Sequence, residues 1–204
     1  MKYSTKRLSL LGSLLLAGVT CVNAELIGLQ VADTANLRDP GQLEFIPGAV
    51  MSKDLSFYGV RQTYSFTEGF RAFLDLGAVD FDKNPLDFAG SLGVTVCIPS
   101  DFLADLAFRT SLYYANTDAI DIVGGNMALI SSDETLLDDL YIYAAFGADF
   151  SQTDEATSGV ATTTTEINPL LSLGLTYNFT QSVGIYVETT YVTSMFYGFG
   201  IKIR

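Results

Sequence analysis

Apolar and polar positions alternate with a period of two in one segment after another. Beyond the first two dozen residues no run repeats near 3.6, so the pattern predicts an all-β chain. From Ser56 to Phe66, Tyr58, Val60, Tyr64 and Phe66 fall on one side, with Gln62 the exception, and Gly59, Arg61, Thr63 and Ser65 on the other. Phe70, Ala72, Leu74, Leu76 and Ala78 oppose Arg71, Asp75 and Gly77. The stretch FAGSLGVTVCI is the clearest: Phe88, Leu92, Val94, Val96 and Ile98 face one way, and Ala89, Ser91, Gly93, Thr95 and Cys97 the other. The same rule sets Phe108 and Leu112 against Arg109 and Ser111, and Phe146 and Phe150 against Gly147 and Asp149.

The run LSLGLTYNFTQSVGIYVETTY, Leu171 to Tyr191, opens with seventeen uncharged residues and has the length of a membrane helix. Its alternation is that of strands, and Asn178-Phe179-Thr180-Gln181-Ser182 divides it into two of about ten residues each. Nine such runs are legible, at about 42–51, 55–66, 70–80, 88–98, 103–115, 138–150, 168–179, 183–193 and 196–203. Thr67-Glu68-Gly69, Pro99-Ser100-Asp101 and Thr180-Gln181-Ser182 make tight hairpins, whereas 80–87, 115–139 and 151–167 look like longer polar links. The hairpins fix strand direction and require one strand more between 115 and 138. Asp118–Ile130 is the candidate, with Gly124-Gly125 as a bend or bulge. The expectation is an antiparallel up-and-down transmembrane β-barrel of about ten strands, with eight as the alternative.

What covers the second face decides the solvent on the first. A soluble sandwich or lipocalin-like barrel needs a Lys- and Glu-rich outer face, but here that face is mostly Gly, Ala, Ser and Thr, which suits a crowded lumen. Glu44, Arg61, Arg71, Asp75, Asp105, Arg109, Asp149, Glu188 and Lys202 all fall on the small-residue face. Both signs on one side predict a lumen charge network and an outer face free of charge. A base at the bilayer midplane would cost about 2–4 kcal/mol there. Tyr64, Phe66, Phe70, Phe102, Tyr177 and Phe179 flank the tight hairpins, where an interfacial aromatic girdle would lie.

Composition narrows the chemistry. MKYSTKRLSLLGSLLLAGVTCVNA places Lys2, Lys6 and Arg7 before an apolar run and a Val22-Asn23-Ala24 cleavage signature, so residues 1–24 are expected to be a cleaved signal peptide. It holds three of the eleven basic residues and none of the 23 acidic ones, which makes the remainder strongly acidic and nucleic acid an unsuitable partner. With Cys21 removed, Cys97 has no partner for an intrachain disulfide. The chain has no His, which excludes Ser-His-Asp and Cys-His catalysis, and no enzyme and no cofactor are expected. Residues 25–40 show little pattern and read as a periplasmic tail or a plug, ahead of a barrel domain at 41–204. Asp118, Asp121, Asp133, Glu134, Asp138 and Asp139 form an acidic stretch without a base, a candidate cation-binding loop. No metal centre is expected elsewhere.

Repeated units such as YGVRQTYSFTEGFRAFLDLG and LGLTYNFTQSVGIYVETTY resemble those of small bacterial outer-membrane β-barrel proteins of the outer membrane protein A and X class. The resemblance covers the signal peptide and about residues 40–204. It implies an outer-membrane location, contact with lipid and lipopolysaccharide, and passage through the barrel-assembly machinery. That class usually ends in an aromatic residue, whereas this chain ends FGIKIR, with Phe199 five residues short. Two roles stay open beside a structural or surface-exposed barrel with a filled lumen: a narrow porin-like channel, and a secreted soluble β module.

Overall fold

The computed structural model describes residues 27–31, 34–35, 40–81, 87–99, 104–116, 120–157 and 160–204. The expected signal peptide, Phe102 and Asp118 lie outside them. Ten strands follow in order: β1 (Leu43–Met51), β2 (Leu55–Thr67), β3 (Phe70–Phe81), β4 (Asp87–Ile98), β5 (Asp105–Asn116), β6 (Ile120–Glu134), β7 (Leu140–Thr157), β8 (Val160–Asn178), β9 (Val183–Tyr191) and β10 (Met195–Ile203). Each pairs antiparallel with its neighbours in sequence, and β1 pairs with β10, which closes the sheet into a barrel. Closure leaves the barrel wall without an open edge, so backbone groups are satisfied all the way round.

The β2–β3, β4–β5, β6–β7 and β8–β9 connections lie at one end, here the near end, and the other connections at the far end. Three expectations change. The predicted asymmetry of loop length is absent, since 52–54 and 192–194 at the far end are as short as the near-end turns. Residues 151–157 and 160–167 are strand rather than polar link, paired from Ser151↔Glu166 to Thr157↔Val160. Asymmetry therefore resides in strand length: β7 and β8 run to 18 and 19 residues, against 9 in β9 and β10. Pairing of β8 with β9 stops at Leu171↔Tyr191, whereas β7 stays paired with β6 as far as Ile120↔Glu155, so the β7–β8 hairpin projects past β9 with β6 along its other side. Finally, Gly124-Gly125 is no bulge, because register runs unbroken through Tyr113↔Gly124 and Leu112↔Gly125.

The burial pattern is inverted relative to a soluble barrel. In mid-strand, Leu112 is 67% and Leu92 59% exposed, whereas Arg61 is 1% and Asp75 0% exposed. The outward row is apolar and the inward row holds the charges. Toward the far end the interior turns apolar: Val50, Leu55, Phe57, Val79, Ala115, Ile122, Val192 and Phe196 are all buried there. Inward aromatics fill the remaining width by lying across glycines on the neighbouring strand. Phe73 pairs with Gly93, Tyr113 with Gly124 and Tyr143 with Gly174, and an added Cβ at each glycine would run into the ring.

Candidate functional site: the occupied lumen

Register places Arg61 of β2 opposite Asp75 of β3. Arg61 Nε donates to Asp75 Oδ1 at 2.7 Å and its Nη2 to Oδ2 at 2.8 Å, a bidentate pair with both side chains buried. Ser91 Oγ of β4 donates to the same Oδ2 at 2.7 Å, which fixes the carboxylate. The Phe73 ring lies 4.5 Å from the Arg61 guanidinium carbon and 4.2 Å from that of Arg109, so one aromatic steadies two cations.

Across the lumen, Glu188 of β9 is held by its own wall. Tyr143 Oη donates to its Oε2 at 2.6 Å, and Ser172 Oγ and Thr190 Oγ1 donate to Oε1 at 2.7 and 2.8 Å. Tyr113 Oη donates to Asp149 Oδ2 at 2.9 Å. At the near end Glu44 accepts from Arg204 Nε at 3.0 Å, and Arg204 Nη2 donates to Asn178 Oδ1, which ties β10 to β1 and to the β8–β9 turn. Arg71 and Lys202 are buried on the inward faces of β3 and β10.

Between these walls runs a segment whose location the sequence left open. Residues 27–31 and 34–35 are buried inside the barrel, a plug rather than a tail. Arg61 Nη1 donates to the Val31 carbonyl at 3.0 Å, and Arg109 Nη1 to the carbonyls of Gln30 and Val31 at 2.6 and 2.5 Å. Arg71 Nη2 reaches the Thr34 carbonyl at 3.5 Å. From the opposite side Glu188 Oε1 accepts the Val31 N–H at 3.1 Å, and Ser132 Oγ the Ala35 N–H at 2.9 Å. Gly28 adopts φ 101°, and a Cβ there would stand 2.8 Å from Asp75 Oδ2, so the closest approach to the ion pair requires glycine. At Gly41, with φ 83° and its N–H bonded to the Ser65 carbonyl, the chain turns into β1.

The predicted site residues sort as follows. Glu44, Arg61, Arg71, Asp75, Arg109, Asp149, Glu188 and Lys202 are all buried inward. Asp105 shares their face but is exposed at the near end of β5, outside the network. The acidic stretch is not one loop: Asp121 sits at the far end of β6, bonded to Asn116, while Asp133, Glu134, Asp138 and Asp139 lie at the near end. Among the described residues no three carboxylates, thiols or imidazoles gather as a metal site. Tyr64, Phe66, Phe70, Tyr177 and Phe179 are exposed at the near end. Tyr64 packs edge-on to Phe66 at 4.7 Å, and Tyr177 to Phe179 at 5.0 Å. A second exposed row, Tyr58, Phe88, Tyr114, Phe150 and Tyr197, lies toward the far end and had gone unrecognised in the sequence. From Tyr58 to Phe66 is about 26 Å of strand, or about 20 Å of height at a barrel tilt near 40°.

Fold and lumen together define a closed ten-strand antiparallel barrel, charged within and apolar without. No family model matches the sequence, and no curated protein matches it. Among solved structures the chain is similar to the N-terminal β-barrel domain of Pseudomonas aeruginosa OprF, at 12% identity over 81% of this chain and 98% of that one, with a TM-score of 0.43. It is also similar to the KdgM porin (9% identity, 79% and 98% covered, TM-score 0.45). A third is Ail, the attachment invasion locus protein of Yersinia pestis (10%, 79% and 93%, TM-score 0.35). At these identities and scores no residue's role passes from those proteins to this chain.

Proposed function

We propose that this chain is an integral barrel of a bacterial outer membrane, structural or surface-exposed in role, with its lumen filled rather than open. The inverted burial carries the reading: an outer band dominated by Leu, Val, Phe and Tyr, with Gln62 a polar exception, would be insoluble in water and is matched to hydrocarbon. Outward charges fall at strand ends, as at Asp80, Asp121, Asp133 and Asp154, and the two exposed aromatic rows suit the two membrane interfaces. Lipid and lipopolysaccharide are then the constant partners, and the barrel-assembly machinery a transient one. The apolar far-end interior, the buried ion pairs and the N-terminal segment together favour a non-conducting barrel over a narrow channel.

Outer-membrane fractionation with heat-modifiable mobility on a detergent gel tests the location. A soluble periplasmic protein would overturn the reading. Planar-bilayer recording separates the two roles: silence is expected, and discrete conductance steps would replace the filled lumen with a channel.

A further inference from the structure

The lumen residues that hold the N-terminal segment are fixed by the barrel, not by the segment. Asp75 and Ser91 orient Arg61, the Phe73 ring steadies Arg109, and Tyr143, Ser172 and Thr190 aim Glu188. Every one of these supports belongs to a strand, so donors and acceptors keep their places whatever lies between them. What they contact is main chain: carbonyls of Gln30 and Val31 from one wall, N–H groups of Val31 and Ala35 from the other, the last through Ser132. Guanidinium–carbonyl and carboxylate–amide bonds are the strong, charge-assisted kind.

Side-chain fit is less complete. Ile27, Leu29 and Val31 pack into the apolar cluster, but the Gln30 amide is buried and neither its nitrogen nor its oxygen has a hydrogen-bond partner among the described residues. A segment selected by its side chains would pair that amide, since burying it unpaired is costly.

We propose that the inner wall formed by Arg61, Arg109, Glu188 and Ser132 is a binding site for a peptide main chain. The chain's own residues 27–31 and 34–35 occupy it, and a separate peptide with the same backbone contacts can take their place. The proposal rests on the filled-lumen reading, but its readouts are taken in detergent micelles. A failed fractionation would therefore leave them standing.

Amide exchange on the folded full chain comes first. The Val31 and Ala35 amides are expected to exchange about 100-fold or more slowly than that of Glu68 in the exposed β2–β3 turn. Equal rates would overturn the proposal. Leu29→Asp then puts an unpaired charge in the core and expels the segment while leaving every strand residue unchanged. The expelled chain, folded by gel mobility, is expected to bind a labelled synthetic peptide of residues 27–35, and the unsubstituted chain is expected not to. N-methylation of that peptide at the Val31 and Ala35 positions is expected to weaken binding about tenfold or more. No binding, or equal binding by both peptides, overturns main-chain recognition. If Leu29→Asp fails to fold, Ser132→Ala in the full chain decides: about tenfold faster exchange at Ala35 supports the proposal, and an unchanged rate overturns it.

Discussion

At the residue scale, parity was enough to place charges but not to pair them. Alternation alone put Arg61, Arg71, Asp75, Arg109, Asp149, Glu188 and Lys202 on the inward face, and all are buried there. That Arg61 meets Asp75 depends on register across the β2–β3 hairpin, which shifts between Ser65 and Thr67 at its near end. Asp105 shows the limit: its face follows from alternation, its depth from where the strand begins. Inward rings such as Phe73 and Tyr113 were hidden among small neighbours, because a ring over a glycine is a relation between strands. Two substitutions test these contacts. Asp75→Asn leaves the Arg61 guanidinium buried without its counter-charge and is expected to cost about 3–5 kcal/mol in urea unfolding from micelles. Gly174→Ala drives a methyl into the Tyr143 ring and is expected to cost about 1–3 kcal/mol in the same measurement.

At the scale of elements, the sequence is most legible where one face must be oily. Strands inside the apolar band alternate cleanly, so their centres were placed well. β7 and β8 run past the band, where neither face has to be apolar, and VATTTTEIN therefore resembles a loop although it is paired strand. The acidic stretch failed for a related reason: neighbours in sequence are separated by the length of β6. Two predictions belong here. Leu112→Arg, on the outer mid-strand face, is expected to destabilise the lipid-embedded barrel by about 2–4 kcal/mol, whereas Leu137→Arg in the exposed β6–β7 turn stays near neutral. Comparable small effects at both sites in an unfolding titration would argue that the outer face meets water. Trimming the projecting hairpin by joining Ser151 to Glu166 through Asn-Gly is expected to leave heat-modifiable mobility intact, since it removes no β8–β9 pair and only the outermost β6–β7 pairs, Ile120↔Glu155 to Val123↔Gln152.

For the whole molecule, closure and filling go together. A ten-strand wall encloses a width that side chains alone nearly occupy, and the N-terminal segment takes up the remainder between Arg109 and Glu188. The strand total was readable because hairpin direction demanded an even set. The segment was not, because its alternation of Ile27, Leu29 and Val31 is too short to mark an element and it takes its shape from the walls. With so much apolar surface outward, the chain is expected to refold to the heat-modifiable form only when detergent micelles or lipid are present. Refolding to a clear monomeric solution in plain buffer would contradict the inverted burial.

The seam between β1 and β10 also sets a time course. All other strand pairs join neighbours in sequence and can zip locally, but Phe45 must find Ile203 across more than three-quarters of the chain, at roughly 4–5 kcal/mol of loop-closure entropy. Until that search ends the molecule is an open sheet with two unpaired edges, prone to pair with its neighbours. Its slowest step, and its most vulnerable moment, is the meeting of its first and last strands.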